Sequence, residues 1–423
     1  MTTGKVWHRP GETYKKILFS ASRNPCRRLA EQVLEAVDLE DERYHCFADR
    51  SATQLLNQAD HLDAIGPSDQ RPLYGMPVGV KDIISVAGLE TTFGVGGALT
   101  ERPDNDAAVV RRLREAGALI VGKTVATELA FLHPASTLNP QGVDYTPGGS
   151  SAGSASAVAA GCIAMGVGTQ TGGSITRPAS FCGTFAIKPT FGLISRDGVL
   201  SQSPTLDTVG FLGMDLSVLE VVLSALTPLA APVDRSTLRV ARLQGDLIDR
   251  APDYVLTHLK EIGREHCGFI KSVKLSDTFS RGIELRQQIN AYELSHQFSG
   301  IIDRHGSLLS QTLLNEARCG SEISTSDYFK AIREIQALSK PIDCLFEDFD
   351  CLLLPSAPGE APKGLTSTGD SIFNASWTLL GYPSVTMPMV QGPSGMPWGL
   401  QLVGPKYSDR QLLRDAALFG ALL

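Results

Sequence analysis

The spacing of apolar residues changes period several times along the chain. Between residues 27 and 64, Leu29, Val33, Leu34 and Val37, and later Leu55, Ala59 and Leu62, recur at helical spacing and predict a helical N-terminal region. Residues 72–86 alternate more tightly around Val78, Val80, Ile83 and Ile84, which predicts strand and turn. Asp106 to Ala116 returns to the helical period. Ala108, Val109, Leu113 and Ala116 share one face there, while Arg111, Arg112 and Arg114 point to water. The apolar run 118–121 then reads as a short buried strand, residues 142–150 as a Gly/Pro loop, 154–164 as an alanine-dense helix, and 164–168 as strand-like. Residues 240–345 are mostly helical in pattern, interrupted by strands at 238–243 and 269–275. Strand patterns return at 351–354, 384–387 and 399–403, before a final helix from Asp409. Helix and strand alternate without a repeat or a low-complexity linker, so the expectation is one large α/β domain over residues 1–423.

Composition narrows the function classes. The 423 residues are 43% hydrophobic and 20% charged, the balance of a soluble globular protein. A net charge of −7, with no basic cluster interleaved with aromatics, excludes a nucleic-acid groove. No apolar window approaches about 18 residues, and the first ten residues lack the apolar core of a signal peptide, so a cytoplasmic location and no membrane partner are expected. The cysteines at 26, 46, 162, 182, 267, 319, 344 and 351 form no Cys-x-x-Cys pair and read as thiols in a reducing compartment. The histidines offer neither His-Glu-x-x-His nor another pair with ligand spacing, so the working expectation is chemistry with no metal and no cofactor.

Two nucleotide motifs are rejected on physical grounds. Gly117 to Thr124 satisfies the Gly-x4-Gly-Lys-Thr pattern, yet its intervening Ala118, Leu119, Ile120 and Val121 favour a buried strand over a turn whose amides curl round a phosphate. Gly148 to Gly153 lacks the Gly-x-Gly start of a dinucleotide loop and a clear strand before it.

The candidate chemistry lies in two glycine–serine runs and one lysine. A single Gly-Gly-Ser-Ser stretch, here ending at Ser150 and Ser151, is on base rates a flexible turn, but Gly172-Gly173-Ser174 repeats the device after a strand. Glycines before a serine let backbone amides converge on one point, as a developing oxyanion requires. A serine hydroxyl is a weak nucleophile and needs a base. No His–Asp partner is signalled nearby, which leaves Lys81, on an apolar strand, as the available base. A lysine serves only if burial or a cation lowers its pKa from about 10.4 towards neutrality. Asp82 opposes that shift if it faces the amine. On these residues alone, Lys81 reads equally as an ordinary strand-end lysine.

The runs Pro147 to Ser154, Gly168 to Ile175 and Phe181 to Thr190, with Gly79-Val-Lys-Asp82, resemble the amidase signature family. Supporting matches run from Ala108 through Gly122-Lys-Thr, and in the C-terminal part from Phe349-Asp350 and Pro355 through Gly381-Tyr-Pro383 to Gly399–Pro405, so the resemblance covers nearly the whole chain. It implies a mixed twisted sheet flanked by helices on both faces and a serine amidohydrolase acting on small amides. The N-terminal helical region is then placed at about 1–64, the catalytic core at about 65–215, a helical insert at about 240–345 and a sheet-completing part at about 346–423. Residue by residue, the resemblance makes Ser174 the acylated nucleophile, Ser150 a proton-relaying serine after a cis Gly149–Ser150 peptide, and Lys81 the base. The amides of Thr171, Gly172, Gly173 and Ser174 form the oxyanion hole, and Ser151 supports the network.

Two departures bear on substrate. Gln170 stands where the family commonly has an acid, and the arginine expected two residues after the nucleophile comes one later, at Arg177, with Thr176 in its place. This form resembles the malonamidase-like branch, in which the shifted arginine holds a substrate carboxylate. On a helical turn after Ser174, Arg177 shares its face and reaches a carboxylate beside the scissile amide; the plainer alternative is that it pairs with a structural acid. Phe131, Leu132, Phe181, Phe373 and Trp377 are candidates for the pocket, or plain core. A glutamine-hydrolysing subunit of an amidotransferase complex is the alternative within the family, for which the chain is short and the Arg177 pattern a poor fit. A catalytically inactive binding module is disfavoured because all three chemical positions are present. Family members are often dimers, so a homodimer is the assembly the resemblance allows.

Overall fold

The computed structural model describes residues 24–275 and 277–423. Its strands are β1 Phe47–Arg50, β2 Pro77–Lys81, β3 Leu119–Thr124, β4 Met165–Gln170, β5 Phe185–Lys188, β6 Thr208–Gly213, β7 Val240–Gln244, β8 Ile270–Lys274, β9 Cys351–Pro355, β10 Ser384–Gln391 and β11 Pro397–Val403. Among the described residues these form a single mixed sheet in the order β1-β3-β2-β4-β6-β5-β10-β11-β9-β7-β8. The pairs β2–β3, β2–β4, β7–β8 and β7–β9 are parallel and the rest antiparallel.

The central strands read as nearly continuous apolar runs because both faces are covered. β2, β3, β4, β6, β9 and β11 are buried at every position, as expected of strands with helices on either side. The edges differ. β1 carries Asp49 and Arg50, and β8 exposes Lys271 and Lys274, charges that discourage pairing with another chain. No described helix is long and apolar enough to cross a membrane.

Several local expectations need correction. The helical stretch expected over 27–64 is two helices, Pro25–Tyr44 and Ala52–Ile65, separated by β1. Four residues between two helical patterns were too short a signal. The small-residue helix is Ala152–Ala159, stopping before Gly161 at φ 81° and leaving Met165 to open β4. β5, β6 and the helices Leu216–Leu226 and Ile372–Leu380 had no counterpart in the periodicity. Residues 117–124 enter β3 through a left-handed Gly117, a strand and not a phosphate turn. The first 23 residues of the expected N-terminal helical region lie outside the described residues.

Candidate active site

β2 and β4 are parallel neighbours, so their carboxyl ends, Lys81 and Gln170, emerge side by side, the location where open α/β sheets bind ligands. Lys81 is wholly buried, with its Nζ 2.7 Å from Ser150 Oγ and 2.8 Å from Thr169 Oγ1. Burial lowers its pKa to about 7, against the pull of nearby Asp207. Asp82 is not the opposing carboxylate: it turns to Lys123 at 3.2 Å and accepts the Thr92 amide. Asp207 accepts the Thr171 hydroxyl at 2.6 Å and the Gln202 and Ser203 amides at 2.8 Å each, and burial raises its own pKa to about 6.

Ser150 follows a cis peptide bond with Gly149. The helix Ala152–Ala159 starts immediately after it and packs on the sheet without clearance: a Cβ on Gly153 would lie 2.3 Å from Cys46 O and Val125 N. Ser151 donates its hydroxyl to Thr169 O at 3.3 Å and accepts the Thr169 amide at 3.4 Å, bracing the residue that also touches Lys81. Its own amide donates to Ser174 O at 3.3 Å, tying the two serine segments together. The Ser150 and Ser174 hydroxyls are not hydrogen-bonded to each other among the described residues.

Ser174 lies at the wall of a cavity of about 510 Å³ whose lining includes Thr171, Gly172, Gly173 and Arg177. The amides of Gly172, Gly173 and Ser174 donate to no other described residue, whereas those of Ile175 and Thr176 are taken by Gln170 Oε1 at 2.8 and 3.0 Å. Gln170 Nε2 donates to Thr378 Oγ1 at 3.0 Å, and Thr378 donates to Gly172 O at 2.6 Å. The loop is therefore held from behind, and the residues that carry its free amides line the cavity. An acid at position 170 would accept the same amides but lose the donor to Thr378.

Arg177 sits in the helix Thr176–Cys182, 3% exposed. Its Nη2 donates to Gly149 O at 2.7 Å and Thr368 Oγ1 at 3.2 Å, and its Nε is buried without a partner. Burial lowers its pKa to about 10, so it stays cationic at neutral pH. Phe131 and Leu132 line the cavity, but Phe181 packs with Ala357, Ala361 and Met396, and Phe373 and Trp377 belong to the main core. Sequence reasoning missed Thr169, Asp207, Thr378, Arg286, Glu316 and Asp370. Thr169 lies within a recognised run, whereas Asp207, Arg286, Glu316 and Asp370 lie in stretches without a motif, and only the folded chain gathers them.

A buried lysine touching a serine, beside a glycine loop with free amides and a second serine, makes this end of the sheet the candidate centre of a hydrolase. The sequence profile of the Amidase family matches residues 28–240 and 286–413, and the chain belongs to that family, the amidase signature family. It is 28% identical to a glutamyl-tRNA(Gln) amidotransferase subunit of Bacillus cytotoxicus, over 93% of this chain and 95% of that one. It is 31% identical to the corresponding chloroplastic/mitochondrial subunit of Sorghum bicolor, over 88% of this chain and 81% of that one. A crystal structure of an amidase superposes with a TM-score of 0.88 at 27% identity, covering 97% of this chain and 99% of that one. These relatives make the chain a hydrolase of amide carbon–nitrogen bonds. The match to the Bacillus protein spans nearly the full length of that relative, so length does not separate this chain from the amidotransferase group.

Proposed function

We propose that the protein hydrolyses the amide of a small linear substrate carrying a carboxylate, through Ser174, Ser150 and Lys81. The observation that carries this reading is the 2.7 Å contact between a buried Lys81, with its pKa near 7, and Ser150. Neutral Lys81 takes the Ser150 proton while Ser150 takes the Ser174 proton, a transfer for which the two hydroxyls close to hydrogen-bond distance when substrate binds, and Ser174 Oγ bonds to the amide carbon. The charge on the carbonyl oxygen meets the amides of the 171–174 loop, each such donor being worth about 3 to 4 kcal/mol. The carbon–nitrogen bond then breaks as the proton returns through Ser150 to the leaving nitrogen. Water cleaves the serine ester, regenerating Ser174 and releasing the acid. Arg177, on the cavity wall, is the sequence-based candidate for the carboxylate.

The curated relatives named above favour the alternative over this reading, namely that the chain hydrolyses glutamine within an amidotransferase complex. Glutamine is itself a carboxylate-bearing amide, so both readings use the same site and differ in partners: a homodimer acting alone, or one component of a larger assembly. The test is ammonia release from malonamate, malonamide and glutamine, with Ser174→Ala as the blank. Faster turnover of malonamate than malonamide by the isolated chain supports the first reading. Glutamine turnover that appears only with partner proteins supports the second, and ammonia release that survives Ser174→Ala sinks both.

A further inference from the structure

The cavity wall beside the nucleophile loop carries charge that the serine relay does not use. Arg286 comes from the helix Arg281–Gln297, Glu316 from the helix Gln311–Ser321, and Asp370 from the turn before Ile372–Leu380, and all three line the same cavity as Ser174. The Arg286 guanidinium lies against the oxyanion loop, where a Cβ on Gly172 would be 3.1 Å from its Nη1. Among the described residues it makes no hydrogen bond and no ion pair within 4 Å, and its Nε is buried without a partner. Glu316 and Asp370 are near enough to favour its charge, yet burial outweighs them and lowers its pKa.

A planar guanidinium with unfilled donors in a cavity is costly until a ligand completes it, and a carboxylate matches its fork with two parallel bonds. Arg177 is less available because its Nη2 is committed to Gly149 O and Thr368 Oγ1. The two guanidiniums are also close enough for Arg286 to oppose the charge on Arg177, a repulsion that an anion between them relieves. We infer that Arg286 is the principal carboxylate anchor of the substrate pocket and that Arg177, lining the same cavity, adds its charge, so the site selects amides whose acyl part ends in a carboxylate. This rests on the reading above that the substrate is a carboxylate-bearing amide.

The experiment compares kcat/KM for malonamate and malonamide in wild type, Arg286→Met and Arg286→Lys. Calorimetric binding of malonate is measured in parallel on Ser174→Ala with and without Arg286→Met. The expected result is a fall of about 10- to 100-fold in the malonamate-to-malonamide ratio for Arg286→Met, driven by KM, with Arg286→Lys in between and malonate binding weakened in step. A ratio and a malonate affinity that survive Arg286→Met overturn the assignment while leaving the carboxylate reading intact. A wild type with no preference for malonamate overturns both, and if Arg286→Met does not fold, the same criteria apply to Arg286→Lys.

Discussion

Lys81 can act as a base because the interior removes most of the advantage of carrying a proton, and Asp207 returns part of it. In the proposed relay neutral lysine is the active form, so kcat/KM should rise with pH through a midpoint near the lysine's pKa of about 7. Asp207 favours the charged form, so Asp207→Asn should move that midpoint to lower pH, and a pH–rate profile on both proteins checks the direction. A midpoint that stays put or climbs would mean that Asp207 serves only to anchor Thr171, Gln202 and Ser203. At this scale the glycine–serine runs pointed to Ser150 and Ser174, whereas Lys81, on an apolar strand, was singled out only by the family resemblance; the fold brings Lys81 and Ser150 into contact. Asp207 was not legible, because a carboxylate after a run of threonines and serines carries no sign of the lysine it will face. Nor did the chain show that Asp82 would turn to Lys123.

Helix pairing builds the substrate wall, and glycine permits it at one point. The helices Arg281–Gln297 and Gln311–Ser321 meet so closely at Gly320 that a Cβ there would lie 1.9 Å from Ala291 O. A backbone oxygen cannot move aside as a side-chain tip can, so Gly320→Ala must push the helices apart. The expected cost is about 1 to 3 kcal/mol, seen as a lower Tm, with a raised KM because Arg286 and Glu316 ride on the separated pair. An unchanged Tm would show that the helices separate without cost. The same wall is pinned from the other side by Glu128, which accepts the Ser310 amide at 2.6 Å at the start of the second helix. Glu128 precedes Leu129 and Ala130, both left-handed at φ 43° and 60° and the latter lining the cavity, a backbone state that costs about 1 to 3 kcal/mol for such residues. Periodicity located most of these helices but not their pairing, because contact across a pair depends on which small residue faces which backbone.

Across the whole molecule, one sheet runs from β1 to β8, and its two ends are its only exposed strand edges among the described residues. Lys271 and Lys274 keep β8 from recruiting another strand. Replacing both with valine should increase self-association in light scattering with little loss of turnover, and a monodisperse double variant would show that the edge is protected by other means. The alternating pattern made the α/β class legible, but the strand order depends on pairings between residues far apart in the chain, such as Ser384 with Lys188. The groups proposed for bond cleavage all lie between residues 81 and 207, whereas Arg286, Glu316 and Asp370 belong to later stretches. On the proposed roles, cleavage is written in the earlier part of the gene and most of substrate choice in the later, with Arg177 and the loop-bracing Thr378 as the crossings. Mutations at Arg286, Glu316 or Asp370 then retune which amide is accepted while the proposed relay stays in place, and grafting the segments that carry them between relatives, with Thr378 kept, is the direct route to a hydrolase with an exchanged appetite.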